Sequence, residues 1–186
     1  MNIETSELQH LLVAINEHNL SIIEAISLIK GNNNSDEQSK PDEEISLTID
    51  YSQSIKQMIE AGKYDWKNGD IKEKHFPFPT ELSGKKITVS TKLFHFGRKI
   101  STEDAIYEMG KDGYRPATLA ELLALGVKHR ELQRPFPVIA LGSIWRYAVD
   151  DRSVPYLNVD GRKRRLSLGW FDGDWDVSYR FLGVCK

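Results

Sequence analysis

The sequence predicts an α+β fold, in which short antiparallel strands build most of one domain and the helices occupy separate stretches of the chain. Three observations support this prediction. Apolar and polar residues alternate in several short runs, as they do in half-buried strands. Polar residues with the spacing of a capping box precede apolar runs, as at helix starts. Gly and Asp punctuate the chain between the runs, as in turns.

Residues 6–30 have the apolar spacing of two short helices. Ser21 and Glu24 form a capping box at the start of the second helix, and Gly31 follows its end. We therefore predict a small helical hairpin over residues 1–30. Two short helices bury too little apolar surface to fold alone, so we expect this hairpin to dock on its own domain or to form a homo-oligomer through residues 6–30.

Residues 31–44 contain no large apolar side chain. Such a stretch cannot repay the entropy of ordering itself, so we predict a flexible linker here. It separates the hairpin from a second domain, residues 45–186.

The second domain begins with an alternating strand at Ile45–Asp50. A short helix at Ser54–Ala61 follows and is ended by Gly62. After an aromatic-rich connection, a second strand alternates over residues 87–93.

Two capped helices come next. Ser101 and Asp104 have the spacing of a helix start, and Thr118 and Glu121 form the capping box of a further helix. Gly126 is predicted to close this helix, because Gly is the commonest residue just after a helix end.

The C-terminal half is predicted to consist of short strands and turns. The apolar run 136–145 is typical of a central strand covered on both faces. Residues 155–159 alternate again before a turn at Asp160-Gly161. A second turn over residues 172–174 leads to the last strand, residues 181–184.

Alternation also predicts which side chains of the C-terminal half face inward. We expect Leu166, Leu168 and Trp170 to point into the core, with Trp145 as a further rigid position, and Ser167 to point outward. Replacing Trp170 with Ala is therefore expected to cost about 3–5 kcal/mol.

Composition excludes several classes of protein. The chain has 186 residues and a net charge of −2, which gives no general attraction for nucleic acid. No apolar run approaches the roughly 18 residues that span a bilayer, and the N-terminus lacks the features of a signal peptide. We expect a cytoplasmic protein, or one exported without a Sec signal, with no membrane insertion and no nucleic-acid partner. With Cys185 as the only cysteine, no intrachain disulfide or multi-cysteine zinc site can form.

The acidic turn near the C-terminus has part of a calcium-binding pattern. Asp172, Asp174 and Asp176 occupy the first, third and fifth positions of a calcium loop. Val177 replaces the required Gly, and Gly183 replaces the bidentate Glu. The pattern excludes an EF-hand and leaves a solvated turn or a looser metal site. We expect no metal and no cofactor.

The sequence contains no recognisable catalytic set. Its five histidines lack the spacing of metal ligands, and no Ser or Cys lies in a nucleophile motif. The basic run Arg162–Arg165 allows two interpretations: a contact for phosphate or another acidic ligand, or a solubilising hairpin tip. The absence of interleaved aromatic residues for base stacking favours the second.

The order of the predicted elements resembles that of the C-type lectin-like fold over residues 94–186. The stretches that carry the resemblance are Ser101–Ala105, Gly113–Leu123 and Tyr179–Lys186. The resemblance implies a ligand-binding domain of mixed short antiparallel strands with two helices. The Glu-Pro-Asn and Trp-Asn-Asp motifs of calcium-dependent sugar binding are missing, so that activity is not implied.

Within this fold, the chain resembles the disulfide-free branch that contains the variable proteins of diversity-generating retroelements, and related bacterial and phage proteins. In the variable proteins, adenine-directed mutagenesis converts AAY codons to NNY codons and diversifies a ligand-binding face. NNY codons cannot encode Lys, Glu, Gln or Met, and none of these occurs in residues 135–162 or 166–184. Trp145, Trp170 and Trp175 would have to be fixed positions. Turn preference alone is the competing explanation, because Asp suits loops and Glu suits helices.

We therefore expect non-catalytic recognition of a protein or glycan through a diversified C-terminal surface. Tyr offers a large contact area at low entropic cost, and Ser, Asn and Asp adapt their hydrogen bonds. The expected contact residues are Tyr147, Arg152, Tyr156, Asn158, Ser167, Asp172, Asp174, Asp176, Ser178 and Tyr179. Two alternatives remain: a metal-assisted enzyme that uses the three aspartates 172, 174 and 176, and an assembly protein that acts through its N-terminal helices.

Overall fold

The structure, a computed structural model, describes residues 44–147 and 151–186. The chain divides into two units between Pro41 and Asp42, and the described residues belong to the second unit. The predicted N-terminal helices and, apart from Glu44, the predicted linker lie outside the described residues.

Eleven strands and three α-helices lie within the described residues, and the predicted α+β class is confirmed. The helices are α1 (Ile55–Gly62), α2 (Thr102–Lys111) and α3 (Leu119–Lys128), and Thr80–Leu82 form a 3-10 turn. The strands are β1 (Ile45–Asp50), β2 (Trp66–Lys67), β3 (Lys86–Phe94), β4 (Ile100–Ser101), β5 (Tyr114–Pro116), β6 (Val138–Ile139), β7 (Trp145–Arg146), β8 (Arg152–Asp160), β9 (Lys163–Trp170), β10 (Asp174–Trp175) and β11 (Arg180–Cys185).

One mixed sheet organises these elements. Its strand order is β1-β3-β11-β6-β8-β9-β2, with β5 attached to β11 and β7 attached to β8. The pairings are antiparallel except β11 with β6 and β2 with β9. The Asp160-Gly161 turn joins β8 to β9 as predicted, with Asp160 opposite Lys163 and Gly161 at a φ of 59°, where Gly avoids the strain that other residues meet.

The sheet is covered on both of its faces. The first apolar cluster joins α1 and α3 to one face and includes Ile55, Leu122, Leu166 and Leu182. The second joins α2 and the segment 171–179 to the other face and includes Met109, Trp175 and Phe181. The neighbouring residues Phe181 and Leu182 of β11 lie in different clusters because successive side chains of a strand point to opposite faces.

The three helices begin where the sequence predicts. Ser54 starts α1 by accepting a hydrogen bond from the Gln57 amide, and Ser101 accepts one from Asp104 at the start of α2. Thr118 begins α3 with its capping box formed. Each signal is local, so it operates wherever the segment lies in the fold.

Two of the predicted boundaries are wrong. Helix α3 continues through Gly126 to Lys128. Gly126 allows the Tyr64 side chain to pack closely against α3, because a Cβ atom at this position would lie 2.0 Å from the Tyr64 hydroxyl oxygen. The run 136–145 is not one strand: it contains β6 and the first residue of β7, with a turn between them. In that turn Gly142 approaches the Ala117 backbone and donates to its carbonyl at 2.8 Å.

Candidate ligand-binding site

The end of the β8–β9 hairpin opposite Gly161 brings four predicted contact residues together. Arg152 begins β8, and its side chain pairs with Asp172. The Tyr147 amide donates to the Asp151 carbonyl beside them at 3.0 Å. We call this region the distal surface and define it as Tyr147, Arg152, Trp170, Asp172 and Asp174.

Trp170 is the most informative residue of the distal surface. Alternation predicts correctly that it shares a face with Leu166, because both lie at even positions of β9. The prediction that it is a core position is wrong, since Trp170 is 56% exposed and Leu166 is fully buried. Trp170 is the last residue of β9, and it lies beyond the part of this face that the first cluster covers.

Aromatic rings support the distal surface from one side. Trp145 and Trp170 flank Ser153 in neighbouring strands, with Trp145 opposite Ser153 in β7–β8 and Ser153 opposite Trp170 in β8–β9. Trp145 is half-buried and stacks on His75, with ring centroids 4.5 Å apart. Tyr147, which is 76% exposed, meets the Trp145 ring edge-on at 5.7 Å. Trp145 is therefore packed against the first cluster and supports the Tyr147 ring.

The charged groups of the distal surface are paired with one another. Arg152 donates from Nε to Asp172 Oδ1 at 2.9 Å, and its guanidinium lies 4.2 Å from the centroid of the Phe171 ring. This hydrogen bond lowers the pKa of Asp172 and raises the pKa of Arg152. Lys99 holds Asp174 at 3.1 Å. Both carboxylates are thus oriented before any ligand arrives.

The acidic turn is not arranged as a metal centre. Among the described residues, no group of three His, Cys, Asp or Glu side chains could hold a metal ion. Asp172 and Asp174 face cations, and Asp176 is exposed with its backbone carbonyl accepting from the Tyr179 amide at 3.1 Å.

The other predicted contact residues lie away from the distal surface. Tyr156 and Tyr179 pack against the second cluster with their rings 6.3 Å apart. Burial raises the pKa of Tyr179, and Tyr156 and Asp176 add to this rise. Ser178 is exposed on the same segment. These residues are on the face of the sheet opposite Trp170.

Ser167 corrects another prediction. It lies on the same face as Tyr156 and Asn158, as alternation predicts, but it is only 7% exposed. Its hydroxyl donates to Asn158 Oδ1 at 3.0 Å. Because the sheet is covered on both faces, pointing away from the first cluster does not expose a side chain. Ser167 is therefore unavailable to a ligand.

The basic run 162–165 is divided by the fold. Arg162 and Lys163 are exposed at the hairpin tip, whereas Arg164 is 5% exposed. Arg165 is half-buried and holds Asp160 at 2.9 Å. The solubilising interpretation therefore fails for Arg164, whose guanidinium is buried among backbone carbonyls.

A cavity of about 480 Å³ opens near the start of α3, a size typical of small-molecule sites. Phe76, Phe78 and Tyr51 contribute to its aromatic lining, and Arg115 and Glu121 to its polar lining. These two side chains satisfy each other through hydrogen bonds of 2.6 and 3.0 Å. The cavity therefore offers an apolar lining with its main charges already neutralised.

No protein family, curated protein or solved structure matches the chain. None of the helices in the described residues is long and apolar enough to cross a membrane. The three described histidines are His75, His95 and His129, and none of them hydrogen-bonds a Ser, Thr or Cys side chain.

Proposed function

We propose that this protein is a non-catalytic recognition protein that binds a protein or glycan ligand through the distal surface. The observation that carries the proposal is the exposure of Trp170. A large apolar ring stands 56% exposed on a strand. Trp145, which meets the exposed Tyr147 edge-on, lies on the same face of the sheet two strands away.

The exposure of these rings has a free-energy cost. Burying a large apolar side chain stabilises a fold by about 1.5–3 kcal/mol. Trp170 does not contribute much of this stabilisation, because more than half of its surface stays in water. Binding recovers it, because Trp and Tyr add contact area while few rotatable bonds become ordered. Arg152 and Asp172 lie at the same strand end toward the opposite face of the sheet, and their oriented charges favour specificity.

The strand pairing supports a C-type lectin-like domain as part of the proposal. Strand β3, whose last residue Phe94 begins the stretch that carries the resemblance, pairs antiparallel with the last strand, β11. Helices α2 and α3 and the shorter strands lie between them in the chain. This is the order of elements on which the resemblance depends.

The composition of the distal surface supports a diversified ligand-binding face. Tyr147, Asp172 and Asp174 can all be encoded by NNY codons, whereas Trp170 cannot. Trp170 would be an invariant anchor among variable neighbours. The DNA downstream of the gene should then contain a near-copy of the 3′ end that differs at adenines, beside a reverse-transcriptase gene. A locus without such a copy would remove the retroelement part of the proposal and leave ligand binding open.

The two alternative functions receive less support. A metal-assisted enzyme would need Asp172 and Asp174 free of the cations that pair with them. A melting temperature that rises saturably with calcium, and no longer does so in Asp172→Ala, would favour it. An assembly role depends on residues 6–30, which lie outside the described residues.

A binding experiment tests the proposal directly. The full-length chain is applied to a glycan array and to a phage-displayed peptide library, in parallel with the double variant Tyr147→Ala/Trp170→Ala. Tyr107→Ala is the matched control, because Tyr107 is 65% exposed on α2. We expect a ligand that binds the wild type and Tyr107→Ala but not the double variant. Equal binding by all three chains, or no ligand in either library, would overturn the proposal.

A further inference from the structure

The parallel pairing of β2 with β9 places an aromatic ring beside the basic run. Trp66 lies opposite Arg165 in this pairing, although the two residues are far apart in the sequence. The Arg165 guanidinium carbon is 4.1 Å from the centroid of the Trp66 ring, and Trp66 is 42% exposed. The aromatic group that the local sequence lacks is supplied by another part of the chain.

Asp160 fixes the orientation of this stack. Its carboxylate accepts from Arg165 Nη1 at 2.9 Å, so the planar guanidinium is held over the indole. A guanidinium stacked on an indole is a stable cation–π arrangement. The ring is therefore pre-positioned, and its exposed part can accept a second flat group.

Three exposed cations lie at the same end of the hairpin as the stack: Arg162 and Lys163 in the hairpin itself, and Lys63 three residues before Trp66. In the described part of the chain, none of these side chains forms a hydrogen bond or an ion pair. The cations that contact the aspartates of the distal surface differ, since Arg152 is paired with Asp172 and Lys99 with Asp174. We call the region formed by Trp66, Arg165 and the three unpaired cations the tip surface.

The net charge of the whole chain does not reveal the excess of basic residues in the second domain. The whole chain has a net charge of −2, but residues 45–186 contain 23 basic and 18 acidic residues. A positive region attracts a polyanion through its local potential and through release of the counterions bound to that polyanion. The net charge of the chain therefore does not exclude a nucleic-acid partner at this surface.

We propose that the tip surface binds single-stranded nucleic acid. The three cations contact backbone phosphates, and one base stacks on the exposed part of Trp66. Every base has a π face, so a single stacking platform with flanking cations binds without strong sequence preference. With so few contacts, the binding is weak and sensitive to salt. The proposal is independent of the distal surface and of its ligand.

Fluorescence anisotropy of the full-length chain tests this proposal. The probe is a fluorescein-labelled deoxythymidine oligomer of about 15 nucleotides, at about 50 mM salt. We expect Trp66→Ala to weaken binding about tenfold, the loss that one stacked base represents, and Trp66→Phe to retain part of the affinity. Arg162→Ala/Lys163→Ala should weaken binding and flatten its dependence on salt.

The control changes the same charge elsewhere. Lys85 and Lys86 are exposed near the opposite edge of the sheet, and Lys85→Ala/Lys86→Ala should bind like the wild type. Thermal melts establish that each variant is folded. Absence of binding at low salt, or equal losses in both double variants, would overturn the proposal. So would binding of heparin or anionic vesicles without binding of the oligomer, because the ligand would then be another class of polyanion.

Discussion

The buried guanidinium of Arg164 donates from Nη2 to the carbonyl oxygen of Gly126 at 2.9 Å, and from Nη1 to that of Gly62 at 2.7 Å. These carbonyls lie in the last turns of α3 and α1, where carbonyls lack helical partners and a nearby cation is favourable. Gln133 Oε1 accepts two further hydrogen bonds from the same guanidinium. One side chain of β9 therefore ties the sheet to both helices.

Replacing Arg164 with Met should cost about 3 kcal/mol or more in the free energy of unfolding. Met fills part of the space but leaves the carbonyls of Gly62 and Gly126 buried without donors. The urea-unfolding midpoint measures the loss. Arg162→Met is the control: Arg162 is exposed in the same hairpin, and the change should stay within about 0.5 kcal/mol. A loss below about 1 kcal/mol for Arg164→Met would mean that water satisfies the carbonyls instead.

Tyr64 lies against two helix glycines. A Cβ atom on Gly126 would come within 2.0 Å of the Tyr64 hydroxyl oxygen, and one on Gly62 within 2.3 Å of the Tyr64 ring. The hydroxyl is buried without a hydrogen-bond partner in the described part of the chain. Burial also raises the pKa of Tyr64. The glycines thus make room for the Tyr64 ring, whose hydroxyl is buried without a hydrogen bond and so lowers the stability of the fold.

Gly126→Ala should therefore destabilise the protein by about 1–3 kcal/mol through overpacking, although Gly to Ala within a helix usually stabilises. The loss should shrink in a Tyr64→Phe background, because the closest clashing atom is gone. Gly110→Ala in α2 is the control, since its nearest neighbour would lie 3.9 Å away. Urea unfolding of the full double-mutant cycle measures the coupling. Equal losses from Gly126→Ala in both backgrounds would show that the hydroxyl is not the obstacle.

Features set by local chemistry could be predicted from the sequence. The starts of the helices and the Asp160-Gly161 turn depend on side chains that bond the backbone a few residues away. The strand alternation places Leu166, Ser167 and Trp170 on the correct faces. Alternation distinguishes two faces of a strand but does not reveal whether one face or both are covered, so the exposure of Ser167 and Trp170 was predicted wrongly.

Features set by long-range contacts could not be predicted in this way. Arg164 is buried because α1 and α3 end beside it, and Trp66 joins the basic run because β2 pairs with β9. Neither relationship has a local signature. One local signal did indicate that Trp170 is exposed. The Asp172-Gly173 turn begins two residues after Trp170, and a turn so close to the end of a strand limits how far the core extends.

The acid sensitivity of the fold should depend in part on Asp50. The Ser52 hydroxyl donates to this carboxylate at 2.6 Å, and Lys86 lies 3.1 Å away. The Ser52 bond is the main cause that lowers the pKa of Asp50 to about 2. Because the unfolded chain binds this proton at a higher pH than the folded one, the contribution of Asp50 to stability is complete above about pH 4 and is lost as the pH falls toward 2.

Asp50→Asn should therefore lower the melting temperature at neutral pH, and the difference from wild type should shrink as the pH falls from about 4 to about 2. Melting temperatures of both chains across this range provide the measurement. A difference that stays constant down to the lowest pH would mean that Asp50 acts through packing rather than through its charge.

Truncation of two tryptophans near the end of the hairpin should destabilise the protein by very different amounts. Trp175 is 5% exposed, and its indole donates to Thr102 Oγ1 at 2.8 Å, so Trp175→Ala should cost about 3–5 kcal/mol through a cavity and a lost hydrogen bond. Trp170→Ala should cost less than about 1 kcal/mol, because more than half of its surface is already in water. Urea unfolding of the two variants compares them directly. Similar losses would make Trp170 a core residue and deprive the distal surface of its anchor.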